Sequence, residues 1–163
     1  MNKQEPKMSL IKGGIRIDYP DGNYEMRING IYRSFNSKGQ LHSRGDKPAI
    51  IYPDGTKEWY NNGKWHRDGD EPAIIHPDGT KYWFKNDKLH RDGDEPAIVY
   101  PDGEKYWCKN GQRHRDGDKP AVVYPDGTKY WFKNDKLHRD GDEPAVIYPD
   151  GEKHWYKNGN HIK

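Results

Sequence analysis

A single cysteine, Cys108, excludes an internal disulfide in this 163-residue chain. No stretch approaches the ~20 apolar residues that a membrane helix needs. Residues 1–7 also lack the apolar core of a cleaved leader. These absences read as a cytoplasmic protein without a membrane span. Only 31% of the residues are hydrophobic against 33% charged, too few for a deep globular core. Helical periodicity is missing, and Pro and Gly recur too often for a helix of useful length. No Ser-nucleophile motif, phosphate loop or Cys/His zinc spacing occurs, so no enzyme, cofactor or metal is expected. Nor is there a run of adjacent basic residues. The net charge of +2 divides into +4 for residues 1–45 (eight Lys/Arg less four Asp/Glu) and −2 for residues 46–163 (twenty less twenty-two). Nucleic acid is not an expected partner, because binding a strand on aromatics needs a basic groove beside them, and residues 46–163 lack one by composition.

What the chain does have is aromatics in register. Six Trp, twelve Tyr and three Phe argue against disorder. The triplet Pro-Asp-Gly recurs at Pro53, Pro77, Pro101, Pro125 and Pro149, always 24 residues apart, with an earlier copy at Pro20. A fixed period of this size signals a repeat array, in which each unit needs its neighbours to bury its apolar side.

Each unit holds two segments rich in β-branched and aromatic residues, separated by two kinds of turn. Tyr-Pro-Asp-Gly builds one hairpin turn, with Pro fixing φ and Gly supplying the φ > 0 residue. Asn-Gly at Asn62, Asn110 and Asn158 is the strongest two-residue hairpin signal; Asp87 and Asp135 replace the Gly in two units. The predicted fold is all-β: an elongated antiparallel meander with two strands per unit in a single twisted sheet. Each unit should advance ~10 Å. Residues 1–13 read as a tail, 14–47 as an atypical capping repeat with an insertion at 31–38, and 48–163 as the regular array.

Strand alternation sets Trp59, Trp83, Trp107, Trp131 and Trp155 on one face, with Tyr82, Tyr106 and Tyr130 on the other. These aromatic rows are candidate binding faces, and also the only core available. Cys108 fills a slot held by Tyr60, Phe84, Phe132 and Tyr156 elsewhere, and reads as a small core replacement. His42, His66, His90, His114 and His138 recur in one slot, with an Asp two residues later from His66 onward. Copies ~10 Å apart cannot share a zinc ion, whose ligands sit ~2.0–2.2 Å from it. A structural hydrogen bond within each loop is the expectation instead. In the basic N-terminal part, Arg16, Arg27, Arg33 and Arg44 are candidate contacts for an acidic partner, against a plain capping role.

The unit resembles the MORN repeat, in the variant form of bacterial, phage and large-virus proteins. Tyr106-Trp107-Cys108-Lys109-Asn110-Gly111 looks like that family's aromatic strand and Asn-Gly turn. His114 stands where the family has His before its Gly-x-Gly, and Tyr124-Pro125-Asp126-Gly127 looks like its Tyr-x-Asp-Gly hairpin. The similarity spans residues 14–160, with Arg-Asp-Gly-Asp-Glu-Pro in place of the short glycine segment and a period about one residue longer. It implies an elongated antiparallel sheet used for protein or lipid contact and for self-association.

The expected function is a non-enzymatic scaffold or protein–protein interaction module. A phage or viral protein that engages a host target or decorates a particle fits this class. The alternative is a glycan or cell-surface ligand binder that stacks sugars on its aromatic rows. A homodimer is expected, because an open meander leaves unpaired edges and more apolar surface than it can bury.

Overall fold

Backbone hydrogen bonds in this chain close almost only between antiparallel neighbours. The computed structural model describes residues 5–163, and every regular element among them is a β-strand. The first four strands are β1 (Lys7–Ile11), β2 (Gly14–Asp18), β3 (Tyr24–Ile28) and β4 (Ile31–Phe35), each five residues long. They pair consecutively along their full lengths. Residues 1–4 of the expected tail lie outside the described residues, and Lys7–Ile11 is a strand rather than tail. Its partner is Gly14–Asp18, turned back at Gly13, where φ is 82°.

From Ile50 onward the strands shrink to two residues, four to a unit rather than the two expected. In the first regular unit these are β5 (Ile50–Ile51), β6 (Lys57–Glu58), β7 (Tyr60–Asn61) and β8 (Lys64–Trp65). β5 and β6 join the main sheet, which runs through 14 strands from β1 to Lys153–His154. β7 and β8 pair only with each other as a small hairpin. The single sheet is therefore one long sheet flanked by a row of five separate hairpins.

The break falls at the tryptophan. Trp59 still donates its N–H to Ala73 O in the long sheet at 2.8 Å, but Tyr60 already pairs with Trp65 in the hairpin. The bend has a packing cause. Ala49, Ala73, Ala97, Ala121 and Ala145 are fully buried, so no side chain there holds the indole off the backbone. At the outer edge, Tyr52 N–H donates to Thr56 O and Asp54 Oδ1 accepts from Thr56 N, both within 3.0 Å, while Gly55 sits at φ 92°. That is a three-residue hairpin with its positive-φ glycine, as the triplet predicts. The Asn-Gly and Asn-Asp turns have both residues at positive φ, including Asn86 at 52° and Asp87 at 66°. Asp can adopt this conformation at modest cost.

Candidate interaction surface

Cross-strand register fixes what each side of the long sheet presents. One side carries Ile50, Glu58, Ile74, Tyr82, Ile98, Tyr106, Val122, Tyr130, Val146 and His154 in order. The tyrosines on it interleave with those that precede Pro101, Pro125 and Pro149. Tyr82, Tyr100, Tyr106, Tyr124, Tyr130 and Tyr148 form an unbroken edge-to-face chain with centroids 5.7–6.4 Å apart. Such pairs add modest stability beyond their buried area. Burial holds the phenols protonated, lifting Tyr82 and Tyr130 to about 12 and Tyr106 higher still.

The opposite side divides into two lanes, and the tryptophans occupy the inner one. Trp59, Trp83, Trp107 and Trp131 are only 5–9% exposed, and Trp155 at the end is half-buried. Arg67, Arg91, Arg115 and Arg139 place their guanidinium groups over the four indoles at 3.8–4.1 Å from the ring centroids. Lys163 takes that place over Trp155 at 5.0 Å. Each arginine also donates to the proline carbonyl of its own loop, as Arg91 does to Pro96 O at 3.3 Å. It further pairs with the second loop aspartate of the preceding unit: Arg67 with Asp46, Arg91 with Asp70, Arg115 with Asp94 and Arg139 with Asp118, at 2.6–2.8 Å. The guanidinium partners hold the Asp70, Asp94 and Asp118 carboxyls below the ordinary range. Indole Nε1 of Trp59, Trp83, Trp107 and Trp155 donates to the carbonyl of Asp46, Asp70, Asp94 and Asp142. Arg-Asp-Gly-Asp is thus a clasp that seals one unit's tryptophan and ties it to the unit before.

Of the tryptophans named as candidate binding residues, the four buried ones each lie under a guanidinium and meet solvent only at the floor of the clefts between loops, while Trp155 is half-buried. Tyr82, Tyr106 and Tyr130 are half-buried within their own chain. Each repeated histidine from His66 on bonds the aspartate two residues ahead at 2.9–3.0 Å. His90 Nδ1 accepts the backbone N–H of Asn110 in the next turn, so the ring spans two units. Among the described residues no group of three His, Cys, Asp or Glu is placed to hold a metal. Open clefts of 150–580 Å³ lie between successive loops, floored by the tryptophan and the residues after it.

The outer lane holds what composition concealed. Ile51, Lys57, Ile75, Lys81, Val99, Lys105, Val123, Lys129, Ile147 and Lys153 stand side by side in register. The lysines are exposed and the β-branched residues half-buried. The lysines in ion pairs are others: Lys85, Lys109, Lys119, Lys133 and Lys163. Residues 46–163 thus carry a basic lane despite their net charge of −2, because their acids cluster in the loops. The Lys in Thr-Lys-x-Trp was the available signal, since it shares strand parity with the Trp.

The four arginines of the N-terminal part do not form one patch. Arg16 and Arg33 share a side through Met26, while Arg27 lies on the other side next to Tyr32, continuing the lysine lane. Arg16 is bound to Asp18 at 2.7 Å and stacks on Tyr24, and Arg44 stacks on Tyr19 at 3.7 Å. Arg27 also lies over the Tyr32 ring at 5.8 Å, so three of the four are already engaged within the chain.

No protein-family model matches this chain, and no curated protein matches it. Among solved structures it is similar to the G-box domain of the microcephaly protein CPAP, whose structural analysis suggests a role in centriole elongation. Identity is 19%, the match covers 91% of this chain and 96% of that one, and the TM-score is 0.22. A superposition that loose carries no argument.

Proposed function

We propose that the chain is a non-enzymatic interaction scaffold that presents one structural unit many times to a protein partner. The observation that carries this reading is the uninterrupted lane-and-loop surface, repeated at every unit on one side of a 14-stranded sheet. A partner that grips several units gains through effective concentration, as linked sites do. The MORN-like reading of the unit, and a phage or viral protein acting on a host target, agree with such an architecture. The glycan reading has less to support it, because an arginine lies over each buried indole and leaves it only the cleft floor to offer a ligand.

The test is chemical cross-linking of the full chain in host lysate, with the linked sites mapped by mass spectrometry. Links to one partner should fall in three or more units on the loop side. Substituting exposed residues of the clefts, such as Lys109 and Lys133, should remove them without changing the melting curve. Links confined to residues 1–45 would overturn the repeated-surface reading.

A further inference from the structure

Lys57, Lys81, Lys105, Lys129 and Lys153 are exposed, and among the described residues none of them enters an ion pair. The acids on either side of their lane are engaged elsewhere. In the loops, Asp92 meets Lys85 and His90, and Asp116 meets Lys109 and His114. Asp70, Asp94 and Asp118 hold the clasp arginines. At the outer margin, the turn acids Asp54, Asp78, Asp102, Asp126 and Asp150 each accept the backbone N–H two residues ahead at 2.7–2.9 Å. The lane is thus a row of unpaired positive charges, one per unit. Consecutive lysines are two strands apart, ~9.6 Å at ~4.8 Å per strand. Half-buried Ile75, Val99, Val123 and Ile147 stand between them.

We propose that this lane binds an acidic protein segment in the polyproline II conformation, with one carboxylate per turn meeting one lysine per unit. The spacing selects that conformation. A polyproline II chain turns once in three residues of ~3.1 Å each, so residues three apart share a face at ~9.3 Å. Over the four steps from Lys57 to Lys153 the mismatch reaches only ~1.2 Å, which flexible lysine stems absorb. An extended β-strand fails, because residues on one of its faces lie ~6.8 or ~13.6 Å apart. An α-helix returns to one face every seven residues, ~10.5 Å, and drifts ~0.9 Å per unit. Its girth of ~10–12 Å is also wide for a lane one side chain across. Duplex DNA is a poor match, with one charge per ~1.7 Å of axis, and no exposed aromatic of the array lines the lane to stack the bases of a single strand. Proline or alanine between the acids would rest on the β-branched residues between the lysines. Each solvent-open ion pair is weak, so selectivity comes from several in register. At ~0.1 M salt the screening length is ~10 Å, about one unit, so a carboxylate counts mainly for the lysine it meets.

The assignment rests on the repeated surface being a partner site, and it names the partner's chemistry. The probe is a fluorescent peptide of five Glu-Pro-Pro repeats, titrated with the full chain at ~0.1 M salt. Its control has the same composition with the five glutamates in one block. By anisotropy, the periodic peptide should bind the parent on the order of 10-fold tighter than the block, a comparison that needs no variant. Lys81→Gln, Lys105→Gln and Lys129→Gln together should weaken the periodic peptide on the order of 10-fold with the melting curve unchanged. Arg27→Ala should leave its binding as it was, because Arg27 stands three strands from Lys57, off the two-strand step. Equal binding of the two peptides overturns the proposal, since it shows attraction to net charge alone. So do no binding of the periodic peptide and a triple variant that binds like the parent. Tighter binding of duplex DNA or of phosphatidylserine vesicles, weakened by Arg27→Ala, also overturns it. If the periodic peptide fails while cross-links to a lysate partner still fall in three or more units, this assignment falls and the scaffold reading stands.

Discussion

The N-terminal part and the array solve one problem with different means. Residues 7–35 use four five-residue strands, each fully paired, with loosely covered side chains; Met8 is 70% exposed and Leu10 88%. The array pairs only two residues at a time and has more buried side chains. Where backbone ladders are short, the indole–arginine–aspartate clasp supplies the cohesion between units. The cap has no tryptophan, yet it repeats the theme with tyrosine: Arg44 lies on Tyr19 and pairs with Asp21 at 3.4 Å. An arginine on an aromatic is thus common to both, and it is buried only where the ladder is short.

If this contrast holds, the largest effect belongs to the indole. Trp107→Ala should cost ~3–5 kcal/mol in urea unfolding. Tyr19→Ala in the cap should cost clearly less, and equal losses would break the comparison. Next comes the clasp. Arg91→Ala removes the stack on Trp83, the bond to Pro96 O and the pair with Asp70, and should cost ~1–3 kcal/mol. Arg16→Ala, with its solvent-open pair to Asp18, should shift the unfolding midpoint far less than Arg91→Ala.

The tyrosine chain gives a pH test. Burial raises Tyr82 and Tyr130 to about 12 in the folded state, so these groups hold their protons there while an unfolded tyrosine loses its proton near pH ~10. Their contribution is fully present below that value and is lost as pH rises toward 12. Melting temperature should therefore fall across this window, and less steeply for Tyr106→Phe, which removes one titrating phenol. A flat profile would show that the chain of rings is not buried in solution. The smallest effect is at Asp87. Asp87→Gly relieves a positive-φ residue but loses its carboxylate bond to Trp65 N at 2.8 Å. The two should cancel to within ~0.5 kcal/mol by the same unfolding measurement.

Asp87 also shows a signal that sequence reading passed over. Residues 77–97 and 125–145 are identical, 48 residues apart (77 to 125), so units alternate in two types. In the Asn-Asp type, the aspartate exchanges two bonds with the preceding hairpin, at Trp65 and at Arg113. In the Asn-Gly type, Gly63, Gly111 and Gly159 donate to Leu41, Leu89 and Leu137 instead. The turns, the strand chemistry and the histidine–aspartate bonds were legible because each is local. The role of Arg67, Arg91, Arg115 and Arg139 was not, since each partner aspartate lies in another unit and can be matched only once units are stacked.

The sequence alone determined the period, both hairpin turns and the side of the strand each residue faces. Turn geometry and alternation depend on a few adjacent residues and on backbone sterics. Tertiary structure decided that the strand bends at each tryptophan, that a loop from the preceding unit closes over it, and that the lysines gather in a lane of their own. Those outcomes depend on contacts between units ~10 Å apart, where burial and charge pairing, rather than local propensity, select the arrangement.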